Sequence, residues 1–569
     1  MAIGDDRAPP RGRSDSPDEP LLDGRVGLFE MRNRPRRDVP WLIAYLLLLL
    51  GALAGGVFAF MHRNTRFEKL VTPESMSDPH LCPIDATSHA ARRLLQQGPD
   101  APSPFDFDLF MRAAGMWAGA SVGGALLVGL LFVWLVRVSP GALVATALGL
   151  QVSVPAAVGI LALTRGSVGA GVALLGLAGL TLLVFILWKQ QVQLVTALLG
   201  LAGRGLSANP GLVPMALGLQ LLALGLLETP LLLALIGAAM NGTLAFNPHR
   251  ADRGAAESPE QCVDAEGDSV SCCVWKTEPW VPAYMTLAGI AMTWTLFLAF
   301  QIKLYTVGGT IAQWYFEPVS AAAATDDDMY HGGGGASSSS ADAANGGGRR
   351  TTARRRRSRT LTALRFAAGP SLGSLCCGSA ILTLVSMIRQ AMEKARQERD
   401  RNLLAACAAA CCSLLLSLLE FVTRFATVRA AVTGEAFLTA GRGVVQLLKR
   451  NAMDAFGVWW LPPMIIQSCC FLLSASWAAA VSLLSYATTW RHQAHAASPH
   501  QASVSAWLTA LLALLAAWAV LGFLGSLLLN VIDALFVCFA MDRDLGQVSA
   551  PEVHQVMGKL PSVGVLVQQ

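Results

Sequence analysis

Three carboxylates fall inside long apolar runs of this sequence: Glu228, Glu420 and Asp533. A carboxylate at membrane depth costs a few kcal/mol, so such a residue usually faces a cavity or a partner. Arg424 lies one helical turn after Glu420, and this spacing predicts an ion pair between them. Asp533 lies near the end of its run, where it either reaches water or faces a cavity. Glu228 has no basic neighbour in its run, which makes it the best candidate for attracting a cation.

Aromatic residues flank a glycine pair near the middle of the chain. Residues 294–316 read WTLFLAFQIKLYTVGGTIAQWYF, and we expect the helix to break at Gly308 and Gly309. Backbone groups freed by such a break must be buried in protein or face a wet cavity, and nearby aromatic faces suit a desolvated cation. The alternative is that the glycines only end the helix and the aromatics form an interfacial belt. The aromatic residues concerned are Trp294, Trp314 and Tyr315.

Two sequence patterns of catalysis are missing from the chain. It has no G-x-x-x-x-G-K-[ST] loop and no H-E-x-x-H, so neither an ATP-driven pump nor a zinc hydrolase is indicated. The nine histidines lie in loops or tails, where they cannot form a metal site or proton relay within the membrane. The sequence therefore predicts a protein that is not an enzyme and that needs no cofactor or metal.

The composition indicates which elements must position these residues. The chain is 53% hydrophobic and 14% charged, with a mean hydropathy of +0.48, whereas soluble proteins carry about 25% charged residues. Each membrane-spanning helix needs about 20 apolar residues. We therefore predict an all-α polytopic membrane protein with ten transmembrane helices. The net charge of +5 lies in loops and speaks to orientation, not to nucleic acid.

Arginines just before the first apolar run place the N-terminus in the cytoplasm. Ten spans then leave the C-terminus on the same side. The predicted organisation is a disordered cytoplasmic N-tail at 1–40, spans one to six within 41–316 with outer loops at 62–112 and 241–280, a disordered Gly/Ser/Arg-rich cytoplasmic loop at 317–369, spans seven to ten within 370–541, and a cytoplasmic C-tail at 542–569.

Polar residues recur on one helical face of residues 189–212. This pattern predicts a short amphipathic helix along the cytoplasmic interface. Residues 389–401 carry five basic side chains, although the span count places them outside. Either this helix pair projects from the membrane as long charged helices, or one of the two spans is re-entrant.

The predicted outer loops carry four cysteines and a glycosylation sequon. An oxidising compartment favours a disulfide among the cysteines, but the sequence does not decide which ones pair. Asn241-Gly242-Thr243 is an acceptor sequence for N-glycosylation close to the membrane. The four cysteines are Cys82, Cys262, Cys272 and Cys273.

Separated stretches in this chain resemble the choline transporter-like family, which includes a fungal branch. The matching stretches run in the family's order and are individually weak but jointly specific. They are NRPRRDVPWLI at 33–43, TVGGTIAQWYF at 306–316, a glycine–serine span with GPSLGSLCCGSA at 369–390, the long stretch 411–451, and NVIDALFVCFAMD at 530–542.

The resemblance implies a ten-helix membrane protein with both ends cytosolic and a glycosylated, disulfide-bearing outer face. It implies choline and related amines such as ethanolamine as substrates. We expect the plasma membrane as location, with an organellar membrane as the alternative. The expected function is transport by alternating access without ATP hydrolysis.

Choline carries a quaternary ammonium that donates no hydrogen bond, so aromatic faces and negative charge must hold it. A carbonyl freed at Gly308 or Gly309 is the predicted acceptor for the choline hydroxyl. The candidate aromatic residues are Trp294, Trp314, Tyr315, Trp459 and Trp460, and the candidate charges are Glu228, Glu420 and Asp533.

The rival hypothesis is a membrane scaffold that transports nothing and organises lipids. Its partners would bind the tails and the loop at 317–369, whose Arg354–Arg357 run also suits anionic lipid head groups. The plainer interpretation of that loop is a solvated linker that fixes topology.

Overall fold

The computed structural model describes residues 34–72, 76, 107–187, 189–247, 262, 270–316, 359–398, 403–450, 452–492 and 499–558. The predictions for residues 1–33, for Cys82 and for most of the loop at 317–369 lie outside the described residues. Within the described part, the all-α prediction is confirmed, because ten helices are long and apolar enough to cross a membrane.

The helices follow in chain order. They are α1 (Val39–Met61), α2 (Phe67–Leu70), α3 (Phe107–Val138), α4 (Pro140–Thr164), α5 (Val168–Leu187), α6 (Lys189–Ala208), α7 (Leu212–Leu222), a π-helical segment (Ala223–Glu228), α8 (Thr229–Ala239), α9 (Val281–Tyr315), α10 (359–368), α11 (Leu372–Glu398), α12 (Leu403–Thr433), α13 (Phe437–Arg450), α14 (Ala452–His492), α15 (Pro499–Asp544) and α16 (Pro551–Met557). Helix α7, the π-helical segment and α8 together form the fifth span. Below, the inner end of a span is the one predicted to face the cytoplasm.

Apolar side chains cover the outside of the bundle. Leu47, Leu130, Leu187 and Leu483 are each between 66% and 71% exposed. In a soluble protein so many exposed leucines would mark an interaction surface, whereas lipid tails are as apolar as leucine. The outward faces of the spans therefore suit a bilayer.

Helix α9 lies at the centre of the bundle and packs against α1, α6, α7, α8, α11, α12 and α15. It runs unbroken through Gly308 and Gly309, so the predicted break is wrong. A Cβ on Gly308 would lie 3.3 Å from Val428 of α12, and a Cβ on Gly309 would lie 3.2 Å from Ala363 of α10. The glycines thus permit close helix approach, which is the common use of small residues between membrane helices.

The irregular helix geometry occurs instead in the fifth span. Residues Ala223–Glu228 are π-helical, and the Thr229 hydroxyl donates a hydrogen bond to the Leu224 carbonyl five residues earlier at 2.7 Å. Pro230 explains the irregularity, because it lacks an N–H and its ring collides with the carbonyl of residue i−4 in a regular helix. The wider π register relieves that collision, and such segments are frequent at functional sites.

The amphipathic segment predicted at 189–212 is present as α6. Its apolar side chains, such as Leu198 and Leu201, are buried in the largest core cluster against other helices. Helix α6 therefore packs its apolar side on protein. A second connecting helix, α13, was not predicted; it joins α12 to α14 and packs on α12.

The described part of the charged segment at 389–401 is the end of one long helix, and a second long helix follows it. Helix α11 continues to Glu398 and α12 begins at Leu403. An ion pair of 2.9 Å between Arg389 and Glu420 joins them. This arrangement agrees with projecting charged helices and not with a re-entrant span.

A small hairpin covers the predicted outer side. Strands β1 (Gly242–Phe246) and β2 (Cys273–Thr277) pair antiparallel, with Phe246 opposite Cys273. The predicted disulfide is confirmed as Cys262–Cys272, and Cys273 is disulfide-bonded as well.

The placement of Asn241 contradicts its prediction as a glycosylation site. The residue is 3% exposed, and its side-chain nitrogen donates hydrogen bonds to the carbonyls of Gly237 and Ala59 at 2.7 and 2.9 Å. That nitrogen would have to carry the glycan.

The end of the loop predicted at 317–369 also needs correction, because residues 359–368 form α10. Its residues Thr360, Ala363 and Ala367 are buried. Helix α10 packs against the inner half of α9, where Gly309 lies.

Candidate functional site

The predicted aromatic cage is not assembled around one point. Trp294 and Trp314 lie twenty residues apart on the continuous helix α9, which corresponds to about 30 Å along its axis. Trp294 therefore belongs to the middle of the bundle, whereas Trp314 and Tyr315 belong to the inner end. Trp459 and Trp460 lie on α14, which does not contact the Trp294 region in the described core clusters.

Trp294 forms an aromatic pair with a residue that was not predicted, Tyr45 of α1. Their ring centroids lie 5.6 Å apart in an edge-to-face arrangement. The Trp294 indole N–H donates to the Ser379 hydroxyl at 3.0 Å and to the Cys376 carbonyl at 3.3 Å, both on α11. The Tyr45 hydroxyl shares a 3.1 Å hydrogen bond with Thr295. Three helices thus fix the orientation of both rings.

Glu228 lies at the end of the π-helical segment, which packs against α9, the helix that carries Trp294. Glu228 is half-buried, and its Oε1 atom is covered and has no hydrogen-bond partner among the described residues. A desolvated carboxylate oxygen without a donor is expensive, and a cation from outside the chain is the partner that would satisfy it.

The other two carboxylates have partners that differ from the predicted ones. Arg424 pairs with Asp533 at 2.7 Å, and Glu420 pairs with Arg389. The predicted Glu420–Arg424 pair is therefore wrong. Asp533 does not reach water, since it is 7% exposed. Arg424 of α12 lies against α15, where it pairs with Asp533. Asp533 is better buried than Glu420, the carboxylate one turn before Arg424.

Tyr315 and Trp314 take part in packing at the inner end. The Tyr315 hydroxyl donates to Asp542 at 3.1 Å, and Asp542 also accepts from the backbone N–H of Ser549 at 2.7 Å and bonds His554 at 2.9 Å. Trp314 packs beside Gly205 of α6. These contacts hold α16 and α6 against the inner end of the bundle.

Below Tyr45, the stretch before α1 closes the inner side. Arg34 donates hydrogen bonds to the Tyr305 hydroxyl at 2.6 Å and to the carbonyls of Ala431 and Val432 at 3.0 and 3.2 Å. The Tyr305 hydroxyl also bonds Ser371 at 2.7 Å. Arg34 therefore ties α9, α12 and the start of α11 together.

Asp38 adds a second tie. Its carboxylate accepts from the Ser374 hydroxyl at 2.6 Å and from the Phe437 backbone N–H at 3.0 Å. Asp38 has a positive φ of 55°, and a Cβ on Gly373 would collide with its backbone carbonyl. We name residues 34–38 the inner strap.

Sequence reasoning missed Tyr45, the π-helical segment and the role of the inner strap. Pro230, two residues after Glu228 in an apolar run, was an available signal for the irregular helix. Tyr45 offered no signal in its spacing, because its contacts are with residues 250 positions away.

The described part of the chain is a polytopic helical bundle of membrane-spanning length. It contains a carboxylate oxygen of Glu228 that has no partner among the described residues, and an aromatic pair formed by Tyr45 and Trp294. A family model described as "Plasma-membrane choline transporter" matches residues 172–544, which is more than half of the chain. The chain belongs to that family. Glu228 and Trp294 lie within the matched range, and Tyr45 precedes it.

A curated relative agrees with this assignment. The choline transporter-like protein 5 of Xenopus tropicalis is 26% identical over 200 residues, which cover 33% of this chain and 28% of the relative. The similarity thus spans little more than a quarter of that relative's length.

Proposed function

We propose that this protein transports choline or a related organic cation such as ethanolamine across a membrane, without ATP hydrolysis. Family membership supports the class of substrate. The observation that carries the proposal is the Glu228 oxygen without a hydrogen-bond partner among the described residues, on a segment that packs against the helix bearing Trp294 of the Tyr45–Trp294 pair. The family description favours the plasma membrane as the location.

The chemistry of the site suits a quaternary ammonium. Such a cation is held by ring faces and by charge, because it has no N–H to donate. Glu228 supplies the charge, and Tyr45 and Trp294 supply the rings. The Thr295 and Tyr45 hydroxyls lie beside the rings and are the proposed partners of the choline hydroxyl. This set replaces the Gly308 and Gly309 carbonyls, which the continuous helix uses for itself.

Alternating access requires one side of the site to be closed while the other opens. The inner strap closes the inner side, since Arg34 binds Tyr305 two to three helical turns below Trp294 on α9. We propose that the strap leaves these contacts when the site opens towards the cytoplasm.

The test is uptake of radiolabelled choline into proteoliposomes that contain only this protein. Glu228→Gln should lower the uptake efficiency at least about tenfold, since one desolvated charge interaction exceeds about 1.4 kcal/mol. Glu420→Gln is the matched control, because this carboxylate already has Arg389 as partner and is 37% exposed.

Retention of normal uptake by Glu228→Gln would remove this carboxylate from the site. Absence of uptake by the folded wild-type protein, with either choline or ethanolamine, would contradict the transport proposal itself. Expression and size-exclusion profiles of each variant show whether it folds.

A further inference from the structure

The face of α9 opposite Trp294 carries Lys303, whose charge is opposite in sign to that of Glu228. Lys303 lies nine residues after Trp294, which is two and a half helical turns and therefore the opposite side of the helix. It is 7% exposed. The substrate site described above does not use it.

Lys303 has no acidic partner within ion-pair distance among the described residues. Its ammonium donates one long hydrogen bond of 3.4 Å to Ser526 of α15, and it lies 5.5 and 5.9 Å from the ring centroids of Phe300 and Phe523. Ring faces recover only part of the hydration that a buried ammonium loses.

The nearest charged groups increase the positive charge. The Arg424 guanidinium lies 5.9 Å from the same Phe300 ring, so both cations lie beside one aromatic side chain. Asp533 neutralises one of these two cations through its 2.7 Å pair with Arg424. One positive charge is left over inside the bundle.

Two hydrogen-bond donors near Lys303 and Arg424 have no acceptor among the described residues. Ser526, Asn530 and Asp533 follow one another at helical spacing on one face of α15. Lys303 bonds the first and Arg424 bonds the third, so Asn530 lies between the two cations. The Asn530 amide nitrogen and the Arg424 Nε atom are buried and have no hydrogen-bond partner among the described residues, and Asn530 is 1% exposed.

We propose that Lys303, Asn530 and Arg424 form a binding site for a small inorganic anion such as chloride, between α9, α12 and α15. The anion neutralises the surplus charge and accepts hydrogen bonds from the unused donors. The protein thus holds a cation on one face of its central helix and an anion on the other.

The test measures thermal unfolding of the purified protein by tryptophan fluorescence, with chloride replacing gluconate at constant ionic strength. A ligand that binds the native state raises the midpoint in a saturable manner. We expect this rise for the wild type, its loss in Lys303→Met, and its retention in the control Lys189→Met, since Lys189 is exposed at the start of α6.

Asn530→Asp is a second variant that keeps the experiment informative if Lys303→Met fails to fold. It places a fixed carboxylate between the two cations. We expect a higher midpoint than wild type in gluconate and no response to chloride. A midpoint of the wild type that ignores chloride, or a chloride response kept by Lys303→Met or Asn530→Asp, would overturn the anion site. The readout needs no choline, so failure here leaves the transport proposal unaffected.

Discussion

At the scale of single residues, the partner of each buried charge decides what the charge does. Glu420 and Asp533 have arginine partners on neighbouring helices, so their cost is compensated inside the protein. Glu228 and Lys303 have no partner of opposite charge among the described residues, and their own charges are opposite in sign. These two are therefore the residues to which ligands of opposite charge are assigned.

The Arg424–Asp533 pair should be strongly coupled. Asp533→Asn leaves the half-buried Arg424 guanidinium without its partner. Removing one partner of a fully buried pair costs about 3–5 kcal/mol, which sets the upper limit here. We expect a large drop in the thermal unfolding midpoint, partly reversed in the double variant Arg424→Gln/Asp533→Asn.

Glu420→Gln serves as the comparison for that pair. Its salt bridge with Arg389 is 37–40% exposed, and exposed pairs contribute about 0–1 kcal/mol. Equal midpoints for Asp533→Asn and Glu420→Gln would show that the buried pair is not coupled.

At the scale of helices, the pair Gly308–Gly309 does not break its helix, whereas Pro230 changes the helix geometry before it. Gly308 and Gly309 leave α9 unbroken because neighbouring helices press against them. Pro230, in contrast, follows a π-helical segment that ends at Glu228, and its missing N–H accounts for the changed hydrogen-bond register there. The helix is irregular next to Pro230, which lacks a backbone N–H, and regular at Gly308 and Gly309, which lack a side chain.

Pro230→Ala tests this role of the π-helical segment. Alanine restores the N–H, so the segment can return to α-helical register, which rotates Glu228 by about 100°. We expect choline uptake to fall towards the level of Glu228→Gln while the protein still folds. Uptake assays in proteoliposomes measure this.

Pro282→Ala is the control for the proline change. Pro282 lies in the first turn of α9, where proline is compatible with a helix. It should keep wild-type uptake. Normal uptake by Pro230→Ala would separate the π register from function.

At the scale of the whole molecule, segments far apart in sequence close the inner side together. The inner strap contacts α9, α11, α12 and the start of α13. Its contacts lie between 271 and 399 residues away in sequence. The strap thus couples the position of the N-terminus to the helices around the proposed site.

Loss of the strap should expose buried cysteines. Cys376 and Cys377 of α11 are 0% and 2% exposed and lie beside Ser374, which bonds Asp38. We expect Arg34→Ala to increase their labelling by a thiol reagent added from the cytoplasmic side, measured by mass spectrometry of the labelled peptides.

Arg36→Ala is the matched control, since Arg36 is exposed. Its labelling should equal that of the wild type. Unchanged labelling in Arg34→Ala would mean that Arg34 does not hold the inner side closed.

Part of the proposed site was predicted from the sequence. Glu228 was selected because no basic residue lies near it in its run, and Trp294 because it belongs to the aromatic stretch around the predicted helix break. Both choices depend on local composition. Grouping Trp294 with Trp314 and Tyr315 failed because it depended on a helix break that neighbouring helices prevent. The pairing of Glu420 with Arg424 failed because helix rotation offered Arg424 a better-buried acid.

Hydropathy over about 20 residues is a local property that lipid enforces, so the class of protein and the number of spans could be predicted from the sequence. The family resemblance could also be found there, because its motifs are short and local. The pairing of charges could not be predicted, because it depends on which faces of α9, α12 and α15 meet in the folded bundle. For the same reason, the contacts of Tyr45 with Trp294 and of the inner strap with Tyr305 appear only in the structure.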